Sequence, residues 1–473
     1  MKTMYKQIHL SEFINNFDDL IDTKKPLLLE LFERYIDVNS FIPHSFYSKY
    51  YSSTGHPRVY SLSSMISAFI FMNLFSLPTV SVLISVLSIS NELREACGFS
   101  SIPNKSQFSR FTSVFYDEIN LVFHRLVDIT QPICNEIDSF KSSILISDTT
   151  GFEGFVKENN PKFFNTILNA CKSYAKKSKH DNFDIYKFAG SKMPKLASSN
   201  SDIKLSYSNG HYGYYIKSNI VTNGLGIVRH IDFYEPIIDS EKSFSIKSLK
   251  DKYDSKTLIP VLERFFYLHT NFKYKYFLGD SGFDSYDNCK YLYKDKNITP
   301  IIPINPRNSS DLPQPNINND GVPTCPHNSN LPMKFDGITK EKGRADRIKY
   351  LCPKSKKTRI NGRTAYILSC DNPCTTSSCG RIKQIAIDSD YRLNCPIPRN
   401  GKRWKSLYKI RTVCERAIAQ LKSLICIEAS KLQKTISIKS RILFAGITQL
   451  VGLIILYKTN NIDHPRAIKS IAM

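Results

Sequence analysis

Each of two short apolar segments of this chain is closely followed by an aspartate. Ser143–Ser147 reads Ser-Ile-Leu-Ile-Ser and is followed at once by Asp148; Tyr274–Leu278 reads Tyr-Lys-Tyr-Phe-Leu and is followed, one residue later, by Asp280. Short apolar runs bounded by turn residues predict buried strands. Functional groups of α/β folds collect where such strands end. The pattern therefore predicts an α/β core with two carboxylates in loops held by a rigid sheet, although an aspartate after a strand also serves as an ordinary turn residue.

The segments around these aspartates predict a mixed sheet. Tyr212–Val221 and Gly226–Phe233 read as a hairpin around an Asn223-Gly224 turn, Leu258–Thr270 has helical spacing, and Ile298–Ile304 is a further apolar strand. Asn-Gly is a strong hairpin signal. The order strand, hairpin, helix, strand, strand is typical of an α/β core.

Composition divides the chain into four parts. Residues 1–140 have mostly helical spacing, including Leu10–Val38, and 141–304 hold the strands described above. Residues 305–400 begin with an Asn- and Pro-rich stretch and continue as a basic segment rich in cysteine. Residues 401–473 return to helical spacing. We predict a helical N-terminal domain, an α/β core, an insertion, and C-terminal helices that complete the core.

A turn signal in the N-terminal part precedes a possible DNA-reading helix. Pro103 and Asn104 lie directly before a helix that starts with Ser106, Gln107 and Arg110. A short helix, a turn and a second helix with polar residues at its start match a helix-turn-helix reader. An ordinary helical packing unit fits the same pattern equally well.

Charge favours a polyanionic partner. Lys and Arg outnumber Asp and Glu by 65 to 42, a net charge of +23, and nucleic acid is the commonest partner of such a protein. Two charge-poor stretches, Val59–Asn91 and Leu443–Leu456, are interrupted by Pro78 and by glycines, so we expect buried helices and no membrane span. The N-terminus has no apolar run typical of a secretory signal, which predicts a cytoplasmic, nucleoid-associated protein.

Residues 408–422 place charged groups on one helix face. At about 100° per residue, Tyr408, Arg411, Glu415 and Lys422 fall within roughly 60° of one another, beside an apolar stripe. A carboxylate between two cations suits metal and phosphate chemistry, but it is equally consistent with a surface ion pair. Asp148 and Asp280 supply the partners that a two-metal site would need, and hard carboxylate oxygens suit Mg²⁺ or Mn²⁺.

The pattern Tyr408-x2-Arg411-x3-Glu415-x6-Lys422 resembles the signature of one group of DDE insertion-sequence transposases. Asp148 in Ile-Ser-Asp-Thr-Thr-Gly and Asp280 in Gly-Asp-Ser-Gly-Phe-Asp resemble the two catalytic aspartates of that group. The resemblance extends from about residue 40 to 457.

The resemblance implies an RNase H-like core interrupted by an insertion, with Asp148, Asp280 and Glu415 holding two Mg²⁺ or Mn²⁺ ions. The ions would activate water to nick an element end and then activate the freed 3′-hydroxyl for strand transfer. Arg411 and Lys422 would contact DNA phosphates or terminal bases, and Tyr408 would stack or contact a phosphate. The partners implied are double-stranded DNA, namely terminal inverted repeats and target, and a second copy in a homodimer on DNA. A catalytically inactive DNA-binding descendant, and a nuclease that nicks without joining, are the alternatives.

The insertion is rich in cysteine and in basic residues. Tetrahedral zinc needs four thiolate or imidazole ligands, for which we choose Cys352, Cys370, Cys374 and Cys379, with Cys325 and Cys395 as alternates. Reduced, partly buried thiols are the simpler interpretation. The basic residues, among them Lys356 and Lys357, predict phosphate contacts in a DNA enzyme, although charge runs are often only solvated faces.

Overall fold

The computed structural model describes residues 25–52, 56–178, 184–208, 211–234, 254–308, 315–360, 362–426 and 431–467. Part of the helix predicted for Leu10–Val38 lies outside these residues.

A seven-stranded mixed sheet forms the centre of the protein. Its strands are β1 (Ile144–Glu153), β2 (Leu196–Ala197), β3 (Asn200–Ser208), β4 (His211–Asn223), β5 (Val228–Asp232), β6 (Tyr276–Leu278) and β7 (Thr299–Ile301). The order is β2-β3-β4-β1-β6-β7, and β5 also pairs with β4. β1, β6 and β7 are parallel, whereas β4 runs antiparallel to β1. The predicted mixed-sheet α/β core with a helical N-terminal region is confirmed, and it is consistent with an RNase H-like fold.

The hairpin of β4 and β5 forms where Asn223 and Gly224 predict it. The Asn223 side chain accepts hydrogen bonds from the backbone N–H groups of Leu225 and Ile227, at 3.1 Å each, and so closes the loop. The left-handed residue is Gly226, with φ +78°, and not Gly224. β2 and β3 extend the sheet beyond β4; the sequence analysis did not predict these two strands.

Fifteen helices are described, and eight of them precede the sheet. These eight are α1 (Leu27–Tyr35), α2 (His44–Tyr50), α3 (Leu62–Leu74), α4 (Val80–Ile89), α5 (Asn91–Cys97), α6 (Lys105–Val114), α7 (Tyr116–Ile137) and α8 (Ser139–Ser142). The others are α9 (Pro161–Ser178), α10 (Ile185–Ser191), α11 (Asp254–Leu268), α12 (Tyr286–Lys290), α13 (Lys402–Lys409), α14 (Thr412–Ile425) and α15 (Thr435–Lys458).

Helix α15 forms the centre of the largest hydrophobic cluster. Phe444 stacks on Phe69 of α3 with ring centroids 4.7 Å apart, and Thr448 accepts a 3.1 Å hydrogen bond from Asn73. Gly446 lies against Phe123 of α7, so closely that a Cβ atom would come within 2.7 Å of the ring. By length and composition α15 is apolar enough to cross a membrane, but 89% of its most apolar window is buried inside the protein. It is therefore explained as a core helix.

The insertion forms small sheets of its own. β10 (Lys334–Thr339), β11 (Arg347–Leu351) and β14 (Ile382–Ala386) make one sheet; β12 (Ser355–Ile360) pairs with β13 (Arg363–Leu368), and β8 (Thr324–Cys325) with β9 (Asn328–Pro332). Buried Asp284, which follows the Asp280 turn, joins the insertion to the core through an ion pair with Arg392, at 2.8 Å. Asp284 also ends the short 3-10 turn Ser281–Phe283, where its N–H donates to the Ser281 carbonyl at 3.2 Å, and Ser285 caps α12.

Candidate active site

The register of the sheet places Asp148 and Asp280 at equivalent positions on neighbouring strands. Ile146 of β1 is aligned with Leu278 of β6, and each aspartate lies two residues beyond this aligned pair. Strand β1 does not end at Asp148, as predicted, but continues to Glu153 because β4 pairs with it as far as Tyr215. Asp148 nevertheless lies just beyond the last residue of β1 that pairs with β6. On that side it therefore faces the loop that carries Asp280.

Helix α14 lies on the face of the sheet to which Asp148 belongs. Ile144, Ile146 and Asp148 alternate onto one side of β1, and the two isoleucines share a hydrophobic cluster with Cys414 and Ile418 of α14. The apolar stripe predicted from the sequence therefore docks the helix, and its polar face points toward the aspartates.

The predicted helix 408–422 is two helices. α13 ends at Lys409 and α14 begins at Thr412, and the join consists of i to i+3 hydrogen bonds, such as the 3.0 Å bond from the Arg411 N–H to the Tyr408 carbonyl. This tighter turn keeps Tyr408 beside Arg411, whose guanidinium carbon is 5.8 Å from the centre of the Tyr408 ring.

Arg411 joins two of the three acids. Its guanidinium lies 3.5 Å from Asp148 Oδ2 and 2.5 Å from Glu415 Oε1. The Arg411 and Asp148 side chains are 18% and 19% exposed, whereas Glu415 is 49% exposed. The ion pair that helical spacing predicts is thus present. Arg411 also pairs with Asp148, which lies 263 residues earlier in the chain and which helical spacing alone does not reveal.

Burial and the neighbouring Asp280 raise the pKa of Asp148 to about 6, although Arg411 opposes the shift. Burial also raises the pKa of the Tyr408 hydroxyl, and the charge of Asp280 adds to that shift. Asp280 itself accepts a 2.9 Å hydrogen bond from the Gly282 N–H. A carboxylate with a raised pKa beside a second carboxylate indicates a place where a cation would be stabilised.

Some residues near the site had no signal in the sequence. Trp404, which is buried, stacks on Tyr408 with ring centroids 4.8 Å apart, a contact that the i, i+4 spacing of the two residues permits. Tyr234, buried after β5 in a left-handed conformation with φ +58°, has its hydroxyl 3.5 Å from Thr149, the neighbour of Asp148. No simple sequence pattern predicts either a left-handed tyrosine or its contact.

The acids provide the oxygen ligands that Mg²⁺ and Mn²⁺ prefer. Asp148 and Asp280 fit such an ion, because burial of two neighbouring carboxylates is stabilised by a cation. Among the described residues, no group of three His, Cys, Asp or Glu side chains is close enough to hold one ion, and this includes the three acids. Glu415 would join the aspartates only after its ion pair with Arg411 opens.

The predicted zinc ligands do not form a cluster in the described part of the chain. Cys352 is buried, Cys370 contacts the Asn372 carbonyl, and Cys379 lies 2.9 Å from the Ser377 hydroxyl. The zinc site has no support from the structure, and metal analysis of the purified protein would test it.

The remaining predicted DNA contacts lie on separate surfaces. Lys422 lies 5.7 Å from the centre of the Phe152 ring, further along β1 than Asp148. Lys356 and Lys357 are adjacent on β12 and so point to opposite sides of the ribbon, and Lys357 pairs with Asp336 at 3.1 Å. Arg110 is exposed on α6, which follows α5 after a short turn.

A mixed sheet of this order, with two carboxylates just beyond the parallel pairing of β1 and β6, is consistent with the RNase H-like class of fold. The chain matches two family descriptions: "Transposase domain (DUF772)" over residues 15–113 and "Transposase DDE domain" over residues 187–449. The second match covers more than half of the chain, so the protein belongs to the transposase DDE domain family. No curated protein and no solved structure matches it.

Membership of this family makes the protein a DDE transposase, an enzyme that acts on DNA and, like its family in general, uses divalent metal ions. Asp280 and Glu415 lie within the matched region, whereas Asp148 lies before it. The role of Asp148 therefore depends on its position beside Asp280 and Arg411.

Proposed function

We propose that Asp148, Asp280 and Glu415 are the catalytic triad of a transposase that cuts and joins DNA at the ends of an insertion sequence. The observation that supports this proposal is that Arg411 pairs with both Asp148 and Glu415, while Asp280 lies close enough to Asp148 to raise its pKa.

The chain's own residues prepare this site. The parallel strands hold Asp148 and Asp280 at the same level of the sheet, and the Asp148 side chain is only 19% exposed. Two Mg²⁺ or Mn²⁺ ions, held by the triad when bound, would supply activation of the attacking oxygen and stabilisation of the leaving oxygen. We propose that Arg411 pairs with Glu415 near the aspartates before these ions bind. Once they are bound, Arg411 would release Glu415 and contact a DNA phosphate.

We propose that other cations bind the rest of the DNA. Lys422 and Tyr408 flank the acids on α14 and α13, and buried Trp404 packs against the Tyr408 ring, on which a base can stack. Arg110 would contact the element end from α6, and exposed Lys356 would contact phosphates from the insertion. Lys357 would have to break its ion pair with Asp336 before it could contact a DNA phosphate.

We further propose that the enzyme works in the cytoplasm as a homodimer that pairs two element ends. The domain limits at 140, 304 and 400 remain predictions, since α15 of the last part packs against α3 and α7 of the first.

The triad is tested with Asp148→Asn, which keeps the size of the side chain but removes its charge. We expect cleavage of labelled end DNA to fall by more than about 100-fold, because losing even an outer partner of a metal ligand costs 10- to 100-fold, while binding of the same DNA is retained. Asp287→Asn is the matched control, since Asp287 is an exposed acid near Asp280 whose partner Lys256 is 3.8 Å away. Cleavage by Asp148→Asn at the wild-type rate would refute the assignment.

One assay separates the three activities considered. The wild-type protein is incubated with Mg²⁺, labelled end DNA and a target plasmid. Joined products are expected. Nicks alone would indicate a nuclease, and a gel shift alone a DNA-binding protein without catalysis.

A further inference from the structure

A second cationic site lies behind the catalytic helix. A cavity of about 690 Å³ separates α14 from the chain after α15, and its lining includes Arg416, Arg466, Lys141, Val413 and Gln420. At about 100° per residue, Arg416 and Gln420 lie roughly 100–140° around α14 from Glu415. The cavity is therefore on a different face of the helix from the three acids.

Two arginines, Arg416 and Arg466, line this cavity without an ion-pair partner among the described residues. Burial and the neighbouring Arg416 lower the pKa of Arg466. Of the two acids in the lining, Asp138 pairs with Lys141 at 3.0 Å, and Asp463 is exposed and forms no ion pair with either guanidinium in the part of the chain that the structure describes.

The position of Arg466 is fixed by a chain of amide hydrogen bonds. The Gln420 side chain donates to the Arg466 carbonyl and accepts a 2.9 Å bond from Gln449. Buried Gln449 in turn accepts a 2.8 Å bond from the Val228 N–H. Gly226 leaves room for the guanidinium, since a Cβ atom there would come within 3.0 Å of Arg466 Nε.

Arg466 is half-buried whereas Arg416 is exposed, and a like charge beside a half-buried guanidinium costs free energy unless an anion completes the site. Guanidiniums recognise phosphate through paired N–H donors. We propose that Arg416 and Arg466 form a phosphate-binding site behind α14. This site rests on the function proposed above. In an enzyme that acts on DNA, the phosphate is expected to belong to the DNA backbone. It would lie outside the stretch of DNA that is bound at the three acids.

The test uses the full-length protein with Arg416→Gln, Arg466→Gln and the double substitution. Affinity for duplex DNA is measured as a function of salt concentration, and melting temperature is measured with and without inorganic pyrophosphate. Losing one phosphate contact reduces the slope of log affinity against log salt by about one. Lys458→Gln, which removes an exposed charge at the end of α15, is the charge-matched control and should leave the slope within error of wild type.

A reduced slope in the arginine variants, with the control unchanged, supports a DNA phosphate. An unchanged slope with loss of the pyrophosphate-dependent rise in melting temperature supports a site for free phosphate. If neither measurement changes, the proposal is wrong. Retained cleavage in that case would leave the triad assignment intact, because the variants do not alter the three acids.

Discussion

At the scale of single residues, the fold places the charged side chains of the candidate active site close to one another. Asp148 is the residue most affected, because burial and Asp280 raise its pKa to about 6. An aspartate whose pKa is higher in the folded state binds its proton more tightly there, so ionising it reduces stability. That cost is absent below the unfolded pKa of 3.8, grows as the pH rises, and is complete above about 6.

Asp148→Asn should therefore stabilise the metal-free protein while it removes catalysis. The shift of about two pKa units corresponds to at most about 3 kcal/mol, and partial exposure and retained contacts make about 1–2 kcal/mol a realistic gain at pH 8. The free energy of unfolding is measured for both proteins at pH 8 and pH 4.5 in EDTA. The gain should shrink at the lower pH; an equal difference at both values would contradict the assigned pKa.

At the scale of elements, the turn between β4 and β5 must fit beneath α14. Gly226 has φ +78°, and a Cβ atom there would come within 2.6 Å of Val413 on α14. The packing of α14, which carries Glu415, therefore depends on a glycine that the sequence analysis placed at the start of a strand. Asn223 was chosen correctly as the turn signal, because its side chain closes the loop.

Gly226→Ala should destabilise the protein by about 2–4 kcal/mol, because left-handed strain adds to a clash with Val413. Gly343→Ala is the matched control: Gly343 has a similar φ of +79° and nothing within 4 Å of the added atom. We expect that control to cost about 1 kcal/mol. Urea denaturation measures both, and equal losses would show that the contact with α14 is unimportant.

At the scale of the whole molecule, α15 ties the N-terminal helices to the sheet. One hydrophobic cluster contains Leu28 near the start of the described chain, Ile146 on β1 and Phe444 on α15. Residues far apart in sequence are thus expected to unfold together. The single tryptophan, Trp404, belongs to the same cluster and reports on the neighbourhood of the active site.

Phe444→Ala should cost about 3–5 kcal/mol, as expected for a fully buried phenylalanine that stacks on Phe69. Phe155→Ala, at a side chain that is 48% exposed, should cost less than about 1 kcal/mol. Trp404 fluorescence and circular dichroism should report one coincident transition for each protein. Separate transitions would mean that the N-terminal helices and the sheet unfold independently.

The strands, the hairpin and the helices at both ends follow from local patterns, because burial imposes periods that can be read from a sequence. The order of Asp148, Asp280 and Glu415, with the motif around Glu415, predicted the family that the comparisons confirm. The pairing of β2 and β3 with β4 was not predicted, because a polar, lysine-rich segment carries little hydrophobic periodicity. The break at Ile410 and Arg411 was also missed, since helical spacing continues across it.

The sequence by itself determined the class of protein, since charge, strand ends and a four-residue motif are local properties of the chain. Only the tertiary structure shows that Arg411 contacts Asp148 as well as Glu415, and that Arg416 and Arg466 line one cavity behind the same helix. The physical reason is that electrostatic energies depend on distance and burial in space. Residues such as Asp148 and Arg411, far apart along the chain, come together only when the sheet and the helix pack.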